Sequence, residues 1–164
     1  MIRLAALIIG LAAPVAAQDL RYADTATLTC LSAVPPAQQV DCIGRSANQC
    51  MTATTDGGTT VGMGYCLEQE LVFWDNRLNA HYGDIRARAR AVDDEMAQIG
   101  ATVPQIAPAL RDMQRAWIAY RDATCNFERA QWGGGTGGGP ATYSCLMRMT
   151  GTQALYLSSA WLGE

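Results

Sequence analysis

The sequence predicts an all-α fold, a small disulfide-stapled bundle of three main helices preceded by short N-terminal helices. Apolar residues recur at spacings of three and four in the second half of the chain, which is the pattern of amphipathic helices. Residues 59–61 could form a strand, but too little strand-like sequence surrounds them to make a sheet. The chain also carries six cysteines, an even number that suits a disulfide framework.

Residues 1–17 have the pattern of a signal peptide. Residues 1–3 are cationic, residues 4–11 are apolar, and residues 15–17 are small, as a signal peptidase requires. The apolar run is too short to span a bilayer, and no cysteine stands at the cleavage point to carry a lipid. We therefore expect a periplasmic or secreted protein with no membrane anchor, cleaved after Ala17.

The cysteines are expected to form structural disulfides because the chain is predicted to be exported. No two of them have the C-x-x-C spacing, which disfavours a zinc site or a thioredoxin-like redox site. Six cysteines allow 15 pairings, so the sequence does not fix them. The order of the elements favours Cys30–Cys42, Cys50–Cys66 and Cys125–Cys145.

Residues 18–64 are predicted to be short disulfide-linked helices and a loop. Asp24 or Thr25 can cap a first helix, and Pro36 can begin a second that runs to about Cys50. A Pro-Pro turn between them would bring their cysteines together. Residues 52–64 are rich in Thr and Gly and are predicted to be a loop.

Residues 65–164 are predicted to hold the main helices and to form one globular unit with residues 18–64. The first helix spans residues 65–98, with Gly100 at its end and Pro104 where the next can start. Its apolar stripe consists of Leu67, Leu71, Trp74, Leu78, Tyr82, Ile85, Ala89, Val92 and Met96.

The second main helix ends near Gln131, and its residues 114–125 give the strongest helix signal. We expect the rest of the chain to pack on this helix. Gln114, Arg121 and Cys125 share one flank of it, beside the apolar stripe. The stripe itself consists of Ile106, Leu110, Met113, Trp117, Tyr120, Thr124 and Phe127.

A glycine tract at residues 133–139, interrupted by Thr136, follows Trp132 and is predicted to be a flexible connection. The last helix is predicted at residues 143–162, antiparallel to the second. Its inward residues are Tyr143, Leu146, Thr150, Ala154, Leu157 and Trp161.

Polar residues flank two of the predicted stripes. Asp75, Asn79 and Arg86 lie on one flank of the first main helix. If the first two main helices are antiparallel, Asp75 can pair with Arg121 at the edge of the core. Such a pair can be functional, or it can do no more than fix the helix register.

Two segments read Asp75-x-x-Leu78-Asn79-x-x-Tyr82 and Gln114-Arg115-Ala116-Trp117-x-x-Tyr120-Arg121-Asp122-x-x-Cys125, and a Gly-rich turn and Cys145 follow them. This combination resembles the LprI-type lysozyme-inhibitor family, which consists of small exported, helical, disulfide-bonded bacterial proteins. The resemblance spans about residues 50–155 and implies inhibition of c-type lysozyme. One departure is Gln153, where the family usually has Arg. The residues that match the family motif, and that we expect to be structural, are Asp75, Leu78, Asn79, Tyr82, Gln114, Trp117, Tyr120, Arg121 and Asp122.

No catalytic constellation is evident, so the protein is not expected to be an enzyme and no cofactor is expected. His81 is the single histidine, and it lies close to an apolar stripe. The carboxylates of residues 68, 70 and 93–95 are expected to be solvated. The glycine tract lacks the G-K-[ST] of a phosphate loop. A net charge of −3 without a basic run disfavours nucleic acid or an anionic membrane as partner.

A binding role is favoured instead. An aromatic side chain beside a glycine-rich turn can anchor a partner protein, although it can also cap the core. The sequence leaves two partners open, a c-type lysozyme or another exported protein, and it leaves the oligomeric state open. The candidate contact residues are Trp132, Gly135, Thr136 and Gly137.

Overall fold

The computed structural model describes residues 20–160, and this part of the chain is all-α, as predicted. The α-helices are α1 (Thr25–Ala33), α2 (Arg45–Ala53), α3 (Thr60–Gln98), α4 (Ile106–Ala130) and α5 (Gly138–Ser158). Two 3₁₀ segments, Pro36–Cys42 and Thr55–Gly58, precede α2 and α3 respectively. The predicted signal peptide and Trp161 lie outside the described residues.

The three long helices run up, down and up. Asp93 near the end of α3 bonds to Ile106 at the start of α4, so these two helices are antiparallel. Cys125 near the end of α4 is bridged to Cys145 near the start of α5, so α4 and α5 are antiparallel as expected. Consequently α3 and α5 are parallel neighbours.

The core lies mainly between α3 and α5. Trp74, Leu78 and Ile85 of α3 are buried against residues of α5 that include Ala154 and Leu157. The two helices approach closely at Gly151, where a Cβ atom would come within 3.1 Å of the Trp74 ring. The expectation that the chain packs around residues 114–125 was therefore wrong. Helix α3 packs on α2, α4 and α5 and also accepts a hydrogen bond from Thr27 of α1, whereas α4 packs on α3 and α5.

Helix α4 faces the rest of the bundle with a different side from the one that its apolar stripe predicted. Gln114 and Cys125 are its buried residues, whereas Tyr120 is 65% exposed and Phe127 67% exposed. The polar flank thus faces the bundle, and one end of the predicted apolar stripe faces solvent. The bridge to Cys145, with a Cα–Cα distance of 5.4 Å, requires this orientation of Cys125.

Two predicted boundaries in the N-terminal region were wrong. The helix expected from Pro36 to Cys50 is divided at Gly44, which has a φ of +93° and ends the continuous helical path. The loop expected at residues 52–64 is mostly helical, and residues 59–61 are the cap and first two residues of α3 instead of a strand. The hydroxyl of Thr59 accepts a hydrogen bond from the Gly62 N–H at 3.0 Å and so caps this helix.

The structure pairs the cysteines as Cys30–Cys42, Cys50–Cys66 and Cys125–Cys145, the same pairs that the order of the elements favoured. The first links α1 to the 3₁₀ segment, the second links α2 to α3, and the third links α4 to α5. Together with the packing, they tie the N-terminal helices to the bundle.

Glu70 was expected to be solvated, but it is fully buried and caps the start of α2. Its carboxylate accepts hydrogen bonds from the N–H groups of Gly44 (2.8 Å) and Ala47 (2.6 Å). The Thr27 hydroxyl (2.8 Å) and the Trp74 indole N–H (3.1 Å) also donate to it. Four donors on one carboxylate suit its ionised, acceptor-only form, and the start of a helix favours the negative charge.

Asp93 plays the same part at the start of α4. Its two oxygens accept hydrogen bonds from the N–H groups of Ile106 (2.7 Å) and Ala107 (2.8 Å). The residue just before α4, Gln105, makes no side-chain cap of its own. Helix α3 therefore supplies two capping carboxylates: Glu70 accepts from N–H groups at the start of α2, and Asp93 accepts from those at the start of α4.

Candidate functional site

The chain between α4 and α5 folds into consecutive hydrogen-bonded turns. The N–H of Gly133 donates to the Ala130 carbonyl at 3.0 Å, and that of Gly135 donates to the Trp132 carbonyl at 2.9 Å. Gly133 has a φ of +54°, which a glycine adopts without strain. The flexible connection predicted at residues 133–139 is thus a compact turn, and its last two glycines already belong to α5.

Trp132 rests on this turn. The six-membered ring of its indole lies over Gly137, where any Cβ atom would overlap the ring. The residue is nevertheless 54% exposed. The glycine at position 137 therefore gives the indole a platform, and the other side of the ring is available to a partner. We call Trp132 and residues 133–140 the tip.

An open groove of about 430 Å³ begins beside the tip. Met51 of α2, Met63 and Leu67 of α3, and Met147 of α5 line it together with Trp132. Methionine side chains adapt to differently shaped apolar partners because they are unbranched and polarisable. We call this surface the tip groove.

A second apolar groove, of about 530 Å³, lies further along α4 and α5. Its lining includes Trp117 and Tyr120 of α4 and Val40 of the 3₁₀ segment, of which Val40 is 49% exposed. Arg148 lines both grooves and donates to both carboxylate oxygens of Glu128, at 2.9 and 3.1 Å. We call the second surface the tyrosine groove. Tyr120 was expected on a packing face, and its exposure here corrects that expectation.

Gln114 and Gln153 form a buried polar pair between α4 and α5. The Gln153 side-chain N–H donates to the Gln114 carbonyl oxygen at 3.0 Å. The amide that stands at 153 thus has a matching amide partner. A buried pair of this kind holds two helices in one register, because any slip would leave its donor and acceptor unsatisfied.

The predicted ion pair between Asp75 and Arg121 does not form. Arg121 binds its neighbour Asp122, with an Nη2–Oδ1 distance of 2.8 Å, and its guanidinium lies 5.0 Å from the centre of the Trp117 ring. Asp75 accepts a hydrogen bond from Asn79 one turn later, at 2.9 Å. The orientation of α4 explains this outcome, since it lets Arg121 stack along its own helix.

The remaining motif residues contribute to packing. Leu78 is buried in the core, and Tyr82 is half-buried with the Arg86 guanidinium 5.7 Å from its ring centre. His81 is also half-buried, and its burial, together with the nearby Arg77, lowers its pKa. The Glu68 carboxylate accepts a hydrogen bond from the Tyr143 hydroxyl at 3.2 Å, and its negative charge raises the pKa of that hydroxyl.

The structure brings the candidate contact residues together at the tip and leaves Gly135 and Thr136 exposed. The two grooves were missed by the sequence analysis, because they are built from elements far apart in the chain. A signal for the tip groove existed in the three methionines at positions 51, 63 and 147, which an apolar pattern alone assigns to the core.

No helix within residues 20–160 is both long and apolar enough to cross a membrane. A comparison with protein-family models matches residues 50–157 to the family described as Lysozyme inhibitor LprI. This match includes α3, α4 and nearly all of α5, and it excludes α1 and the Cys30–Cys42 bridge.

Two curated proteins are similar in sequence. An uncharacterized 17.7 kDa protein in the puhA 5′ region of Rhodobacter capsulatus is 29% identical over 160 residues, which cover 96% of each chain. An uncharacterized protein of Rhizobium meliloti (strain 1021) is 33% identical over 85 residues, which cover 52% of this chain and 61% of the relative. No solved structure matches the chain. On the family match over most of its helical bundle, the chain belongs to the LprI lysozyme-inhibitor family.

Proposed function

We propose that the protein is exported and acts without catalysis, by binding a c-type lysozyme and blocking its activity. Membership of a family described as lysozyme inhibitors supports this role. Three disulfides support an oxidising compartment such as the periplasm, because thiols are kept reduced in the cytosol. The predicted signal peptide at residues 1–17 agrees with export.

The assignment of the tip as the contact with lysozyme rests on the conformation of Trp132, whose exposed indole packs on Gly137. A half-exposed indole fixed on a glycine platform loses little side-chain entropy when a partner covers it. Tryptophan is also enriched among the residues that dominate binding energy at interfaces. We therefore propose that the tip enters the partner's cleft while the tip groove receives an apolar side chain beside it.

The test is a turbidity assay in which the purified mature protein is titrated against a c-type lysozyme acting on bacterial cell walls. We expect stoichiometric inhibition by the wild type. Trp132→Ala should weaken it by about 30-fold, the loss of a hot-spot residue worth about 2 kcal/mol. Tyr156→Ala is the matched control, because Tyr156 is 59% exposed on α5 and lines neither groove.

A second pair of variants tests the platform itself. Gly137→Ala should displace the indole and weaken inhibition, whereas Gly134→Ala adds a methyl group that meets nothing within 4 Å and should leave inhibition unchanged. No inhibition by wild-type protein at micromolar excess would reject the lysozyme role. Inhibition that survives Trp132→Ala unchanged would reject the tip as the contact.

A second candidate function is a structural or envelope-stress module that binds another periplasmic protein. The tyrosine groove favours it, because no residue of the tip lines this apolar surface and its Tyr120 is exposed. Affinity capture from periplasmic extract would test this function. A specific partner retained by wild type and lost with Tyr120→Ala, in a protein without effect on lysozyme, would support it.

A further inference from the structure

Three arginines converge on a small pocket between α3 and α4. The pocket has a volume of about 200 Å³, and its lining consists of Tyr82, Arg86, Arg90, Ala107, Pro108 and Arg111. At a helical rise of 1.5 Å per residue, Arg86 lies about 30 Å along α3 from Gly64. Gly64 is next to Tyr143, near the tip. The pocket shares no lining residue with the tip groove or the tyrosine groove.

The positive charge in this pocket is only partly compensated. Arg111 binds Asp112, with an Nε–Oδ1 distance of 2.9 Å. Within the described chain, Arg86 and Arg90 have no carboxylate within salt-bridge distance, and Arg86 is oriented by its contact with the Tyr82 ring. Among the acids that follow on α3, both oxygens of Asp93 are engaged by the first N–H groups of α4, and Asp94 forms no ion pair with Arg90 within the described residues.

Such a cluster is unexpected in a chain whose net charge is −3. Guanidinium groups that face one concavity repel one another, and an exposed surface would ordinarily place carboxylates among them. The sequence alone does not show this cluster, because Arg111 lies in a different helix from Arg86 and Arg90. The antiparallel packing of α3 and α4 is what assembles the cluster.

We propose that this pocket binds a phosphate group. A phosphate monoester carries nearly two negative charges and offers three strong acceptor oxygens, so it can engage three guanidinium groups at once. A carboxylate carries one charge and two oxygens, so it compensates less of the positive charge of three guanidinium groups. Tyr82, Ala107 and Pro108 give the pocket an apolar wall for the rest of the ligand. The phosphate can belong to a small soluble molecule or to a lipid headgroup.

Calorimetric titration of the mature protein with inorganic phosphate at low ionic strength tests the proposal. We expect saturable binding at one site, with a Kd on the order of 1 mM or tighter. Arg90→Gln should weaken it at least tenfold, and Arg86→Gln should weaken it similarly. Arg88→Gln is the matched control, because Arg88 is an exposed residue of the same helix that does not line the pocket. Circular dichroism verifies that each variant is folded.

Three further results decide the ligand class. Acetate at equal ionic strength should not bind measurably, and acetate binding as tight as that of phosphate would overturn the phosphate assignment. Absence of saturable phosphate binding, or an equal loss with Arg88→Gln, would overturn the site. Co-sedimentation with phosphatidylcholine vesicles, with and without phosphatidic acid, distinguishes the sources. Binding that needs phosphatidic acid and Arg90 supports the headgroup, whereas phosphate binding without vesicle binding supports the soluble source.

The proposal does not depend on the lysozyme role. Arg90→Gln leaves the tip and both grooves intact, so it should inhibit lysozyme as the wild type does. The two proposals can therefore fail separately.

Discussion

The two ends of the helical bundle are held together by different means. At one end lie the starts of α3 and α5, the end of α4 and the N-terminal helices, and this stapled end contains all three disulfides. At the other end α3 turns into α4 through residues 99–105, and no cysteine is present there. This hairpin end depends on the Asp93 cap and on the packing of side chains such as Leu110 and Met113.

The difference suggests a division of roles. The stapled end adds covalent bonds and the Glu70 network to a small core, and it carries the exposed indole of Trp132. A binding surface gains affinity when it is already ordered before the partner arrives. The hairpin end carries the arginine pocket between α3 and α4, and no disulfide lies at that end. We expect the stapled end to be the more stable of the two.

The largest effect should follow removal of the Cys125–Cys145 bridge. A closed loop of this length contributes roughly 3 kcal/mol through unfolded-state entropy, and both sulfurs are buried, so a double substitution to alanine should cost about 4 kcal/mol. Urea unfolding measures the loss. The matched variant removes Cys30–Cys42, which closes a shorter loop outside the family match, and should cost less. An equal loss from both would show that the third bridge has no special role.

Glu70→Gln should produce the next largest effect. The new amide N–H would face backbone donors that now bind a carboxylate, so we expect a loss of about 3 kcal/mol in the free energy of unfolding. Glu68→Gln is the control, because Glu68 is half-buried and bonds only to the Tyr143 hydroxyl. If both variants unfold at the same urea concentration as the wild type, the Glu70 network does not stabilise the stapled end.

A smaller effect is expected at the hairpin end from Asp93→Asn. The change removes the charge and one acceptor from the start of α4, which should cost about 1 kcal/mol. Hydrogen exchange should become faster at Ile106 and Ala107. Asp94→Asn, at the exposed neighbouring position, should leave both the stability and the exchange unchanged. Faster exchange at α2 instead would contradict the independence of the two ends.

The smallest effect should be a pH dependence carried by His81, which lies on α3 between the two ends. Burial lowers its pKa, so folding favours the neutral ring, and stability should be complete above the ordinary value of 6.5. As the pH falls through 6.5 towards the folded-state pKa, protonation of the unfolded chain should reduce stability. Urea midpoints at about pH 7.5 and 5.5 should differ less in His81→Gln than in the wild type. An identical difference in both proteins would refute this assignment.

Much of the architecture could be predicted from the sequence. The three long helices have a strong apolar periodicity, and the order of the elements favours disulfides between cysteines that are neighbours in the chain. The orientation of α4 could not be predicted. Its apolar stripe placed Tyr120 inward, but the direction of Cys125 and the pairing of Gln114 with Gln153 depend on contacts with α5. Helix periodicity alone contains no information on such contacts.

The polar parts of the molecule were harder to predict for the same reason. Glu70 has the sequence pattern of a solvated carboxylate, and its donors come from residues 23 to 43 positions away as well as from Trp74 on its own helix. The glycine tract has the composition of a flexible linker, yet Gly137 lies under the Trp132 ring. In each case the decisive partner belongs to another element or lies across a turn.

Hydrogen–deuterium exchange of the mature protein, alone and with a c-type lysozyme, tests the central claim most directly. The account predicts that lysozyme slows exchange at the tip, residues 132–140, and around Met51 and Met63 in the tip groove, while residues 86–113 exchange as before. Protection confined to the hairpin end, or no protection anywhere at saturating lysozyme, would contradict the assignment of the stapled end as the binding surface.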